Sequence, residues 1–128
     1  MSYVYSKVEE LEDDPVVGTR QCVALVQKYG GVPVTALWKE GARVLGNPSI
    51  KKGTAIATFV NGRYPNRAHG NHAAFFVRAS GNGFWIMDQW RSETKTKISL
   101  RFISPRGKNR QGQYIRPSEN ADAYSVIE

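Results

Sequence analysis

Few groups in this chain suit thiol chemistry: one cysteine, Cys22, and two histidines, His69 and His72. A lone thiol can form neither an intrachain disulfide nor a cysteine-rich zinc site. Cys22 lies in "VGTRQCVALVQKYGG", where Thr19 stands at the expected N-cap and apolar residues recur at Cys22, Leu25, Val26 and Tyr29. The spacing predicts a helix over 20–29, stopped by Gly30 and Gly31, with Cys22 at its third position. The first turn of a helix offers unpaired N–H groups and the positive end of the macrodipole. Both lower a thiol's pKa, and the N–H groups can hold an oxyanion. The plain alternative is a small buried hydrophobe, so the partners decide.

A thiolate nucleophile works with an imidazole base, and the base with a group that orients it. His69 falls in a loop between Ala68 and Gly70, whereas His72 opens the apolar run "HAAFFVRA" and is the better base. Two histidines so close, without an acidic neighbour, are a weak metal signal, and no metal or other cofactor is expected. Asp88 sits in "FWIMDQW", where an unpaired carboxylate costs free energy. A two-residue Gly81-Asn82 turn makes paired positions sum to 163, which puts Gln89 on the face of His72 and turns Asp88 away. One extra loop residue or a bulge reverses the faces. Asp88 is preferred because a carboxylate stabilises an imidazolium better than an amide does. Gln89 is the second choice. Gln21 is a candidate second oxyanion donor, and Trp90 is the aromatic best placed to meet a substrate; the others read as core.

The elements that must hold these residues follow from pattern. After the helix, "TALWKEGARVL" (35–45) reads as a second, shorter helix weakened by Gly41. Strands are predicted at 54–60, 72–79, 84–90 and 97–103, rich in aromatic and β-branched residues and separated by turn residues, with a last strand at "AYSVI" (123–127). "PRGKNRQGQ" (105–113) reads as a solvated basic loop. A helix followed by consecutive strands implies an α+β domain with the helix packed on one face of an antiparallel sheet. At 128 residues, a single domain over 1–128 is expected.

A hydrophobic fraction of 41% supports a packed core and argues against disorder. No apolar run approaches the roughly 20 residues that span a bilayer. The N-terminus has neither the basic nor the apolar segment of a signal peptide, so synthesis in the cytoplasm is expected. The net charge of +7, with acids concentrated in "EELEDD", draws the protein to anionic polymers without choosing among them. A non-catalytic basic module for cell-wall polymer or nucleic acid is therefore the competing reading. No nucleic-acid-binding signature supports it.

Helix-borne Cys, strand-opening His and a polar residue on the next strand follow the order of papain-like cysteine peptidases. The chain looks like their small NlpC-type and CHAP-type members. The wording "VGTRQCVALVQKYGG", "TALWKEGARV", "GTAIATFVNGRYP", "GNHAAFF" and "IMDQW" resembles the type VI secretion amidase effectors, in particular their second family. That resemblance implies cleavage of peptidoglycan stem-peptide cross-links between meso-diaminopimelate and D-alanine. It also implies delivery by an injection apparatus into a rival's periplasm, and a cognate immunity protein. It places the nucleophile on Cys22, the base on His72 and the orienting acid on Asp88.

Overall fold

The computed structural model describes residues 2–65 and 67–128. One α-helix, α1 (Cys22–Gly30), packs on a six-stranded antiparallel sheet made of β1 (Glu40–Arg43), β2 (Ala55–Thr58), β3 (Ala73–Ser80), β4 (Gly83–Asp88), β5 (Ser99–Ile103) and β6 (Tyr124–Ile127). The strand order is β1-β6-β2-β3-β4-β5. The expected meander runs from β2 to β5, and β6 inserts between β1 and β2.

Both faces of the sheet are covered, which is why the central strand β2 is buried at every position. On one face Leu25 and Val26 of α1 meet Ala55, Ala57, Ala73, Phe75 and Met87. The acidic lead-in adds Val8 and Leu11 to this core through a 3₁₀ turn that leaves Glu9 and Glu10 exposed. On the other face Ile56, Ala74, Phe76, Phe84 and Ile86 pack with Tyr124 and Ala121. Residues 106–113 form an exposed basic loop, as expected.

Two local expectations fail. Residues 35–45 are not a helix: Thr35–Leu37 makes a 3₁₀ turn, and Glu40–Arg43 is the edge strand β1. Lys39 and Glu128 exchange backbone hydrogen bonds of 2.7 and 2.8 Å, and buried Trp38 donates its indole N–H to the Pro33 carbonyl at 2.8 Å. Pairing with the distant C-terminus thus overrides a helical propensity that Gly41 had already weakened.

The second failure is at the start of α1. Thr19 is not the N-cap; Gln21 is, without a side-chain cap, so Cys22 is the first helical residue and not the third. Arg20, at φ +73°, takes a left-handed conformation after Gly18 at φ +59°. The chain spends those residues on a turn, closed by the Arg20 N–H donating to the Val17 carbonyl at 3.0 Å. The other end behaves as expected: Gly31 closes α1 in the left-handed conformation that glycine adopts without a Cβ clash, its N–H donating to the Gln27 carbonyl.

Candidate active site

Cys22 is held at the first turn of α1, half-buried, and near enough to His72 for the imidazole to lower the thiol's pKa. His72 precedes β3 and is pinned to β2 by reciprocal bonds: its N–H donates to Thr58 Oγ1 at 3.0 Å and its carbonyl accepts from the Thr58 N–H at 3.0 Å. The imidazole Nε2 lies 2.8 Å from Asp88 Oδ2. With Nε2 so engaged, Nδ1 is the ring nitrogen left for the thiol.

A bulge places Asp88 there. Near the hairpin turn, Ser80 pairs with Gly83 and Arg78 with Trp85, on the register counted from the sequence. Between Phe76 and Arg78 the register slips, so that Phe76 pairs with Ile86 and Phe75 with Met87. The extra residue, Val77, exchanges the faces of everything beyond it. Asp88 therefore shares the face of His72, and Gln89 turns to the helix side.

Asp88 has no exposed surface and is fully partnered. Arg101, across the β4–β5 pair, donates through Nε (3.0 Å) and Nη2 (2.6 Å) to Oδ2, while Ser99 Oγ donates to Oδ1 at 3.1 Å. The Arg101 guanidinium lies 5.0 Å from the Trp90 ring centre, and Lys95 Nζ lies 4.3 Å from it. Neither Arg101 nor Ser99 stands out in sequence, because each is one polar residue in an alternating edge strand. Only the β4–β5 register brings them to Asp88.

The electrostatics favour an ion pair. Burial raises the Cys22 pKa, but the hydrogen bond and charge of His72 outweigh it and hold the thiol below its usual value, with help from Tyr64 and the Ala73 backbone. Burial alone would lower the His72 pKa; the hydrogen bonds to Asp88 and Cys22 and their charges push it up to about 9. Burial likewise raises Asp88, and His72 and Arg101 more than reverse it. Both shifts favour a thiolate beside an imidazolium over the neutral pair.

Tyr64, another residue the sequence reading missed, places its hydroxyl 3.7 Å from the Cys22 sulfur. Its ring packs on Trp38 with centres 4.7 Å apart. Burial and the neighbouring Cys22 charge raise its pKa above the usual phenol value, so it keeps its proton as a donor. The Asn71 carboxamide is oriented with its NH₂ toward the carbonyls of Arg67 and His69, which presents its oxygen to the same hydroxyl at 3.3 Å. The phenolic proton thus has two acceptors within reach.

A family model described as "Domesticated amidase effector 2" matches residues 3–127. The Type VI secretion amidase effector 2 protein of Salmonella typhi is 48% identical over 133 residues, spanning 100% of both chains. Domesticated amidase effector 2 of Ixodes scapularis is 34% identical over 116 residues, 88% of this chain and 73% of the relative. The solved structure of a Type 6 secretion amidase effector 2 (Tae2) superposes with a TM-score of 0.91 at 46% identity, covering 98% of this chain and 94% of the other. The chain belongs to the amidase effector 2 family.

In this member of the amidase effector 2 family the remaining candidates fall in different places. His69 is exposed and lines a cleft of about 750 Å³ together with Thr58, Arg67, Lys108 and Tyr114; Cys22 does not line it. Gln21 is exposed, and Trp90 is 37% exposed at the end of β4. Gln89 is fully buried: its Oε1 accepts from the Val17 N–H (2.9 Å), and its Nε2 donates to the carbonyls of Val17 (3.0 Å) and Gln21 (2.8 Å). It straps the chain entering α1 to the sheet. A second cleft of about 550 Å³ opens beside that strap, between Gly18, Thr19 and Arg20 on one side and Arg91, Ser92 and Glu93 on the other. No helix among the described residues is long and apolar enough to cross a membrane.

Proposed function

We propose that this protein is a papain-like peptidoglycan amidase that cuts the stem-peptide cross-link between meso-diaminopimelate and D-alanine, with 1–128 acting as one catalytic domain. The observation that carries the reading is the line from half-buried Cys22 at the start of α1 through buried His72 to buried Asp88. The names of the family and its relatives support amide-bond cleavage and the type VI route, with which peptidoglycan as substrate and a cognate immunity protein as counterpart are consistent.

In this mechanism the Cys22 thiolate attacks the D-alanine carbonyl. The oxyanion is held by the Cys22 backbone N–H, which has no intrahelical partner at the first helical position, and by the Tyr64 hydroxyl. His72 gives its Nδ1 proton to the leaving amine and then takes one from the water that clears the acyl-enzyme. Asp88 keeps the imidazolium stable and oriented, and Arg101 keeps Asp88 ionised and in place. Gln21 and Trp90, exposed at the rim, meet the substrate chain. Gln89 acts on position, not on substrate.

Mass spectrometry of cross-linked muropeptides after digestion tests this reading. The wild-type protein should convert dimers to monomers by hydrolysis at the diaminopimelate–D-alanine amide, and Cys22→Ala should not. Undiminished turnover by Cys22→Ala, or cleavage at another bond, would sink it.

A further inference from the structure

The cleft of about 550 Å³ at the turn that leads into α1 carries a charge pattern that the thiol mechanism leaves unused; Cys22 does not line it but follows its Arg20 by two residues. Arg20 is two residues before Cys22, and Arg91 follows Trp90 on the opposite rim. Among the described residues neither guanidinium has an ion pair or a side-chain hydrogen bond, nor does Glu93, which completes the lining. Two cations against one acid leave the cleft net positive.

The rims are fixed relative to each other. Gln89, immediately before Trp90, bonds to Val17 and Gln21 on either side of the Gly18–Arg20 turn. The Val16 N–H donates to the Thr96 carbonyl at 3.1 Å, and Pro15 bridges to Lys97. Arg20 sits at φ +73°, a conformation that costs a non-glycine residue free energy and that is tolerated where a site over-determines it. The two arginines thus border a preformed cleft.

The substrate assigned above supplies a matching anion. In a diaminopimelate–D-alanine cross-link, the carbon that carries the amide nitrogen also carries a free carboxylate. That carboxylate must come close to a thiolate, which repels it, so cations on the cleft that borders the entry to α1 would offset the repulsion. We propose that the cleft is a carboxylate subsite, in which Arg20 and Arg91 hold the free carboxylate flanking the scissile amide. The proposal rests on the peptidoglycan reading and deepens it.

Two synthetic cross-linked peptide dimers test it, one with that carboxylate free and one with it amidated. Amidation should raise the wild-type KM about tenfold or more while kcat stays within about twofold, the scale expected for losing charge-assisted hydrogen bonds. Arg20→Gln and Arg91→Gln should each raise KM for the free acid and leave the amidated dimer unaffected. Equal wild-type KM for the two dimers, or variants that weaken both alike, would overturn the subsite. Calorimetry with Cys22→Ala protein reads the same preference without turnover: the free acid should bind about tenfold more tightly, and Arg20→Gln in that background should erase the difference. No difference in affinity overturns the subsite, whereas wild-type protein that cleaves neither dimer overturns the peptidoglycan reading alone.

Discussion

Asp88 and Gln89 are neighbours in the chain, both lack exposed surface, and they serve opposite faces of the sheet. Asp88 joins a charged line with His72 and Arg101, where each group shifts the protonation of the next. Gln89 bonds only to backbone, at Val17 and Gln21, and has no proton to exchange. One residue sets the protonation of His72, and the other ties the chain that leads into Cys22 to the sheet. A neutral amide suits the second task because its strength does not change with pH.

Exchanging the charge for an amide separates the two neighbours. Asp88→Asn should lower kcat by about 10²–10⁴-fold, because the imidazolium loses its counter-charge while steric fit is kept. Kinetics over a pH series should show its cause. The wild-type kcat/KM profile should be bell-shaped, rising as the thiol ionises below its ordinary value and falling near pH 9 as His72 loses its proton. Removing the Asp88 charge removes what raises the His72 pKa, so the alkaline limb should move to lower pH. Arg101→Gln should move it the other way, because a cation near the imidazolium is lost. A limb that stays put in both variants would separate Asp88 from the base.

Gln89→Ala should act on position. Loss of three hydrogen bonds, with the Val17 and Gln21 groups left unpaired, should cost about 2–4 kcal/mol in denaturant unfolding. Turnover should fall roughly tenfold or more as Cys22 loses its setting, with the pH limbs unmoved. A shifted alkaline limb would undo the distinction between the two neighbours. The smallest effect belongs to Thr19→Ala. Its hydroxyl only meets the Gln21 N–H at 3.4 Å, so stability should change by less than about 0.5 kcal/mol. A loss of about 1 kcal/mol, as for a true N-cap, would reinstate Thr19 in that role.

Much of this site is local, and so was legible. A cysteine opening an amphipathic helix, a histidine opening an apolar strand and an acid stranded in an aromatic run are each visible in a few residues. Residues 78–80 and 83–85 keep the register that the two-residue turn dictates. Beyond Val77 that register is lost to a bulge, which depends on how two strands twist over a core, and no residue of "AAFFVRAS" announces it.

The sequence by itself determined the helix, the strand runs of the β2–β5 meander, and Cys22, His72 and Asp88 as the candidate group, because these follow from short-range periodicity and from the cost of leaving polar groups in apolar runs. The tertiary structure alone decided the rest. It set β6 between β1 and β2, turned 40–43 from helix to strand, brought Arg101 to Asp88 and Tyr64 to Cys22, and set Asp88, not Gln89, against His72. These depend on pairings between residues far apart in the chain, whose register is fixed only when both faces of the sheet are packed.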